Sequence, residues 1–387
     1  MRTFMKIFLL SCLLIYIIGI GSTEAKHLEE RPKIGLVLGG GGAKGAATVG
    51  ALKYIEKSGI PIDYIAGTSI GSIIGGLYAC GYRSEELDSM FRSQEWMNLL
   101  TDRNMEICEK PIVKRNGVTY LFGFPIARKG SKLIDKSVGM IRGDKIFALL
   151  DSMITTKLTI TNKQSFQYGD SIHQQDSISF DSLPIPFRCV ATDYINRQKV
   201  ILKNGNLARS MRASMAIPGA FKAIDINGIE LLDGGLVDNL PVDVVLDMGA
   251  DIVIAIDLTV KKHEDSKAWK RERKAKKYEN AEKFMGQLLH WITQRPDLSQ
   301  YQENLRHINV YINPDLKGFS AASFSDKKVI KMIEKGEEAG KKAMKELLKI
   351  NKKIQKRRCY QIFWLQQRFS AISDTKTPKL IYATYTQ

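Results

Sequence analysis

Between Pro32 and Leu258, short apolar runs bounded by glycine alternate with helix-like segments. The strand-like runs are "IGLVLG", "IDYIAG", "PFRCVATDY", "KVILKNG", "IELLDGG" and "DIVIAIDL". The helix-like segments are "ATVGALKYIEKSG", "GSIIGGLYACGY" and "VDVVLDMGA". Continuous apolar strands buried on both faces, separated by helices, predict an α/β sandwich around a mostly parallel sheet. The predicted sandwich domain covers residues 32–260. Residues 102–150, with "YLFGFP" and "GDKIFALLDSMI", break the alternation and are placed as a lid or cap over a site.

Two lysine-rich helical stretches follow, at 261–292 and 325–358, and together form a basic C-terminal extension. They read either as solvated helix faces or as a surface for anionic lipid. Residues 359–387 fit neither period. At the other end, Arg2 and Lys6 flank the start of the apolar run "IFLLSCLLIYIIGIG", which ends in "STEA". This is the layout of a secretory signal peptide over residues 1–25, and the run is short for a membrane span. Export to the periplasm, the outer membrane or the medium is the expectation.

The 387 residues carry a net charge of +17, with 44% hydrophobic content, enough for a full core. The charge favours anionic partners. No recognition helix or zinc finger accompanies it, so nucleic acid is not an expected partner. The five cysteines, Cys12, Cys80, Cys108, Cys189 and Cys359, form no C-x-x-C pair and no cluster with histidine. Neither a metal site nor a disulfide framework is expected, and Cys80 and Cys189 read as buried thiols.

The first strand-like run feeds Gly39–Gly42, then Ala43, Lys44 and Gly45, and then a helix. Such a turn exposes backbone N–H groups where a negative charge can sit. Gly40, Gly42 and Gly45 match G-x-G-x-x-G. A dinucleotide site would also want an acid about 20 residues on, at the end of the second strand. Asp63 has that spacing but precedes "YIAG" instead of ending it. Ala43-Lys44-Gly45 breaks the P-loop pattern. A tight strand–helix turn explains one or two of these glycines and leaves the rest.

The second strand-like run leads into Gly67-Thr68-Ser69-Ile70-Gly71, a G-x-S-x-G between strand and helix. In a nucleophile elbow the serine hydroxyl stands above the sheet while the flanking glycines let backbone pass close. The plainer alternative is a serine N-cap. If the two loops end neighbouring parallel strands, the glycine loop faces Ser69 and would hold a transient oxyanion. Ser69 then needs a proton acceptor. Of the five histidines, His27, His173, His263, His290 and His307, none sits in a convincing active-site loop, and His307 is the best placed. Asp233, ending a strand before Gly234-Gly235, is the better candidate. A free aspartate, with a pKa of about 3.9, is a weak base that burial would strengthen. An Asx turn is the alternative role.

"GGGGAKG", "GTSIG" and "DGG", in this order, resemble the patatin-like phospholipases, in particular the exported bacterial type. "LPIPFRCVATD" and "RASMAIPGAF" extend the resemblance over Lys33–Leu258, and "PDLKGFSAASF" resembles a segment that follows the domain in bacterial members. The resemblance implies a three-layer α/β/α sandwich and cofactor-free hydrolysis of acyl esters in lipids. It implies Ser69 as nucleophile and Asp233 as proton acceptor. The oxyanion hole would fall on Gly40, Gly41, Gly42, Ala43, Lys44 and Gly45. Thr48 stands where many bacterial members carry histidine, outside the proposed dyad. Some exported members continue into a β-barrel, so the chain reads as a short or truncated form. Two other expectations remain beside the hydrolase: a nucleotide- or phosphate-binding module built on the glycine loop, and a catalytically silent family member.

Overall fold

The computed structural model describes residues 31–102, 114–115, 118–119, 141–162, 178–259 and 298–372. The signal-peptide reading, the basic stretch at 261–292 and "YLFGFP" lie outside the described residues. The compact unit Lys33–Leu348 holds the sheet and the helices packed on it. A second unit contains residues 31, 32 and 349–372 among those described, the latter being the second half of the helix Asp326–Ile372.

Eight strands form one sheet: β1 (Ile34–Leu38), β2 (Tyr64–Thr68), β3 (Phe187–Asp193), β4 (Lys199–Leu202), β5 (Ile224–Ile226), β6 (Ile229–Asp233), β7 (Ile252–Ile256) and β8 (Val310–Ile312). Their order is β8-β7-β1-β2-β3-β6-β5, with β4 also paired to β3. From β8 to β3 every pairing is parallel, whereas β4 and β6 run antiparallel to β3 and β5 antiparallel to β6. The sheet is therefore mixed, with its parallel half at the β8–β3 side. β8 comes from beyond residue 260, so the sheet takes in part of the chain past the predicted sandwich segment.

The helices of this unit are α1 (Gly45–Lys57), α2 (Ile70–Ala79), α3 (Ser84–Ser93), α4 (Trp96–Thr101), α5 (Asp144–Asn162), α6 (Leu207–Ser214), α7 (Val242–Asp247), α8 (Leu298–Arg306) and the start of α9 (Asp326–Ile372). Alternation along the strands explains why helices cover both faces. Val37, Ala66, Val190, Val253 and Ala255 point to one face and pack against Val242, Val244 and Val245 of α7. Their alternates Leu38, Ile65 and Phe187 point to the other face, where Gly75 of α2 lies directly over them. Each such side chain taken fully from water contributes about 1.5–3 kcal/mol, so two buried faces per strand fix the register.

The long α9 continues through "CYQIFWLQQRFSAI", residues that matched no period in the sequence. No glycine or proline interrupts the chain between Gly340 and Pro378, so nothing local stops the helix.

Candidate active site

Parallel β1, β2 and β7 all end on the same edge of the sheet. The loop after Leu38, the turn after Thr68 and the turn after Ile256 therefore open side by side there. That edge is where open α/β sheets hold ligands.

Ser69 follows β2 with φ 55° and ψ −126°, a strained conformation for a residue with a Cβ. Two close approaches require the flanking glycines. A side chain on Gly67 would meet the Gly71 backbone, and one on Gly71 would meet the Leu38 carbonyl. Ser69 occupies the N-cap position of α2, yet its hydroxyl makes no capping bond. Instead, Ser69 Oγ donates to Asp233 Oδ2 at 2.7 Å, with both side chains buried. The capping role is thus not what this hydroxyl performs.

Sheet topology brings the pair together. β3 carries β2 and β6 on one side and β4 on the other. Thr68 pairs with Val190, and Asp233 pairs with Ala191, the next residue of β3. β2 runs toward this point and antiparallel β6 runs to meet it, so their last residues abut. The Asp233 main chain is held at both ends, its N–H donating to Ala216 O (3.0 Å) and its carbonyl accepting from Thr192 Oγ1 (2.8 Å). Its Oδ1 accepts from Gly235 N–H at 2.8 Å, which is an Asx turn, and this leaves Oδ2 for Ser69. The Asx turn and the hydrogen bond from Ser69 therefore coexist on one carboxyl group. Burial is the main cause that pushes the Asp233 carboxyl up to about 6, against the hydrogen bonds from Ser69 and Gly235. Gly234 lies against the Val190 carbonyl, where no side chain would fit.

In the glycine loop, Gly40 approaches Ser69 closely: a Cβ there would stand 3.1 Å from Ser69 Cβ. Several N–H groups of the loop are already used. Gly40 donates to Asn239 O (3.1 Å), Ala43 to Ala321 O (2.8 Å) and Lys44 to Gly41 O (3.3 Å), while Gly45 turns back on Ala43 and Gly42. Among the described residues, no hydrogen bond engages the N–H of Gly41 or Gly42. Of the six residues from Gly40 to Gly45, these two carry the N–H groups left for a ligand. Lys44 stands half-buried at the loop's end.

Two residues that the motifs did not single out complete the arrangement. Ser214, at the end of α6, accepts from Ser69 N–H at 2.9 Å and donates to the Val190 carbonyl, tying the elbow to β3. Asn239 accepts from Gly40 N–H and donates from Nδ2 to Gly40 O at 3.3 Å, tying the loop after Asp233 to the glycine loop. Ser214 lies in the stretch "RASMAIPGAF" and Asn239 just past "DGG", but no local rule marks either residue.

The competing candidates fall elsewhere. Asp63 precedes β2 at the opposite edge of the sheet and accepts from Ile34 N–H at 2.8 Å, far from any ligand on the glycine loop. That removes the acid a dinucleotide site needs. His307 precedes β8, also at the opposite edge, where its half-exposed ring meets Glu303 at 3.2 Å. The other histidines lie outside the described residues. Cys80 and Cys189 are buried, and burial pushes each thiol up to about 12. Among the described residues, no group of three or more His, Cys, Asp or Glu side chains is placed to hold a metal ion.

The family model for patatin-like phospholipases matches residues 36–246, which contain the glycine loop, the elbow and the Asp233 turn. The chain belongs to the patatin-like phospholipase family. It is 33% identical over 226 residues to Lysophospholipase NTE1 of Mycosarcoma maydis, a match covering 58% of this chain and 10% of that protein. To patatin-like phospholipase domain-containing protein 6 of Homo sapiens it is 33% identical over 227 residues, covering 58% and 13%. An uncharacterised NTE family protein of Mycobacterium tuberculosis is 28% identical over 233 residues, covering 59% and 50%. The chain thus spans half or less of the length of these relatives. Among solved structures, VipD from Legionella pneumophila overlaps 81% of this chain and 67% of its own, at 12% identity and a TM-score of 0.46. The mixed sheet with helices on both faces is the patatin fold of this family.

Proposed function

We propose that this patatin-family chain is a serine lipid acyl hydrolase of the phospholipase A or lysophospholipase type. The observation that carries the reading is the 2.7 Å hydrogen bond from Ser69 Oγ to a buried Asp233, on a strained turn beside the glycine loop. Asp233 takes the hydroxyl proton as Ser69 Oγ attacks the ester carbonyl. The oxyanion forms beside the unengaged N–H groups of Gly41 and Gly42. The intermediate collapses to an acyl-serine, and the alcohol part of the lipid leaves with the proton from Asp233. Water then gives a proton to Asp233 and attacks the acyl-serine, releasing the fatty acid and restoring Ser69. A base near 6 suits this cycle better than an ordinary aspartate, because it holds a proton more readily and is still largely ionised at neutral pH.

The setting of the enzyme belongs to the same proposal. The N-terminal apolar segment and the +17 charge support an exported protein working peripherally on an anionic membrane surface. No helix among the described residues is long and apolar enough to cross a membrane.

The test is hydrolysis of a short-chain chromogenic acyl ester by the full chain, beside Ser69→Ala and Asp233→Asn. Loss of at least about 1,000-fold in both folded variants supports the reading, since single members of acyl-transfer machinery weigh that much. Full activity in Ser69→Ala would sink it.

A further inference from the structure

The two glycines whose N–H groups stand unengaged are each backed by a residue outside the family match at 36–246. A side chain on Gly41 would stand 3.0 Å from Leu258, so Leu258 lies directly behind that peptide. Gly42, at φ 58°, faces Ala321, whose Cβ is 2.9 Å from where its own Cβ would be. Ala321 also makes the one described bond from the loop to the distant C-terminal segment: its carbonyl accepts from Ala43 N–H at 2.8 Å. The Ala321 side chain is itself exposed, so the link runs through its backbone.

Both backing residues are firmly anchored. Leu258 is flanked by Asp257, whose buried carboxylate accepts from Tyr311 Oη at 2.7 Å, Tyr301 Oη at 2.5 Å and Thr259 N–H at 2.9 Å. Asn313 then crosses back, donating to the carbonyls of Asp257 (2.8 Å) and Thr259 (2.9 Å). The segment Pro314–Phe324 starts from this anchor, buries Leu316, and ends where Phe324 meets Trp96 at 6.1 Å between ring centroids. Between these points it makes a turn held by Ser320 and Ser323. Ser320 N–H donates to Ser323 Oγ (3.1 Å), Ser323 N–H to Ser320 O (3.1 Å), and Ala322 N–H to Ser320 Oγ (3.3 Å). Ala321 sits inside that turn.

We infer that Pro314–Phe324 is a clamp on the glycine loop, with Ala321 as its positioning residue, so that the working acyl hydrolase extends past the family-matched domain to this turn. The inference rests on the hydrolase reading above and adds a part to it. Oxyanion donors act through placement fixed before the reaction. A glycine-rich peptide has the most freedom to lose. An external acceptor on Ala43 and a wall behind Gly42 hold the two N–H groups without any bond to the groups themselves. The clamp therefore stabilises the transition state and leaves ground-state ester binding alone.

Two variants of the full chain test this. Ser320→Ala with Ser323→Ala loosens the turn and adds no volume. Deletion of Ala321 and Ala322 removes the carbonyl that Ala43 uses. Lys317→Ala, an exposed position in the same segment, is the control. Steady-state kinetics on the chromogenic ester and amide exchange at Ala43 are read together. The expected result is a kcat lowered about 3- to 10-fold in the double serine variant and about 10- to 100-fold in the deletion. These lie at or below the 100- to 1,000-fold typical of losing an oxyanion donor outright. KM stays within about twofold, Ala43 exchanges faster, and Lys317→Ala matches the parent. An unchanged kcat with faster exchange overturns the inference, as does a kcat that falls only with the folded fraction. Should the deletion not fold, the double serine variant decides by the same criteria. A parent without ester hydrolysis sinks the hydrolase reading separately. Faster loop exchange in the variants would then still support the clamp as a support of the loop, and unchanged exchange would overturn it.

Discussion

Asp233 is held at a cost. Burial raises its carboxyl to about 6, two units above an ordinary aspartate. The ionised form is therefore disfavoured in the folded protein by about 3 kcal/mol relative to the unfolded chain. The sign follows directly. Stability contributed by the protonated carboxyl is present below pH 4 and lost as pH rises through about 6. In the proposed mechanism activity runs the other way, because only the ionised carboxylate can accept the Ser69 proton. We expect kcat/KM on a soluble ester to rise tenfold per pH unit below about 6 and to level off above it. Asp233→Asn removes the buried charge while nearly keeping the shape. It is expected to abolish hydrolysis and to leave stability at pH 8 equal to the parent or about 1–2 kcal/mol higher by urea unfolding. A strongly destabilised Asp233→Asn with a flat parent pH profile would remove Asp233 from the role of base.

The elements show why some of the site could be read in advance and some could not. The glycine loop and the elbow each lie within one strand–turn–helix unit, so local spacing marks them. The meeting of Ser69 with Asp233 depends on β6 running antiparallel to β3 while β2 runs parallel to it, and no local pattern encodes that choice. Ser214 and Asn239 each act through a pair of hydrogen bonds across the fold, and neither residue carries a local mark of such a role. β8 is only three residues long, and its pairing with β7 is what makes it a strand. Helix packing carries a further prediction. Gly336 and Gly340 of α9 let it approach α1 closely. A Cβ at Gly336 would enter the Ala47 backbone, 2.9 Å from Ala47 Cα, and one at Gly340 would stand 3.1 Å from the Ala51 carbonyl. Ala47 is two residues past Gly45, whereas Ala51 is a full turn further from the site. Gly336→Ala is expected to cost about 3 kcal/mol and to lower kcat as well, by moving the start of α1. Gly340→Ala is expected to cost about 1 kcal/mol with kcat per folded molecule unchanged. Thermal melts beside active-site titration with a serine-directed phosphonate separate the two effects.

At the scale of the whole molecule, charge and chemistry are separable. The +17 charge comes from a chain rich in lysine, and the reacting groups proposed here, a serine, an aspartate and peptide N–H groups, include no lysine or arginine side chain. If the charge serves to gather the enzyme on anionic lipid, it acts on encounter and residence at the surface. Such attraction between exposed charges fades once the screening length falls from about 10 Å at 0.1 M salt toward about 3 Å at 1 M. Hydrolysis of vesicles rich in anionic phospholipid is therefore expected to drop at least about tenfold between 0.05 and 0.5 M sodium chloride. Hydrolysis of a soluble short-chain ester, which needs no surface, is expected to change less than twofold over the same range. Zwitterionic vesicles should be cleaved slowly at every salt concentration. Equal salt sensitivity for the soluble ester would move the effect into the active site itself, and equal rates on anionic and zwitterionic vesicles would leave the positive charge without a part in substrate capture.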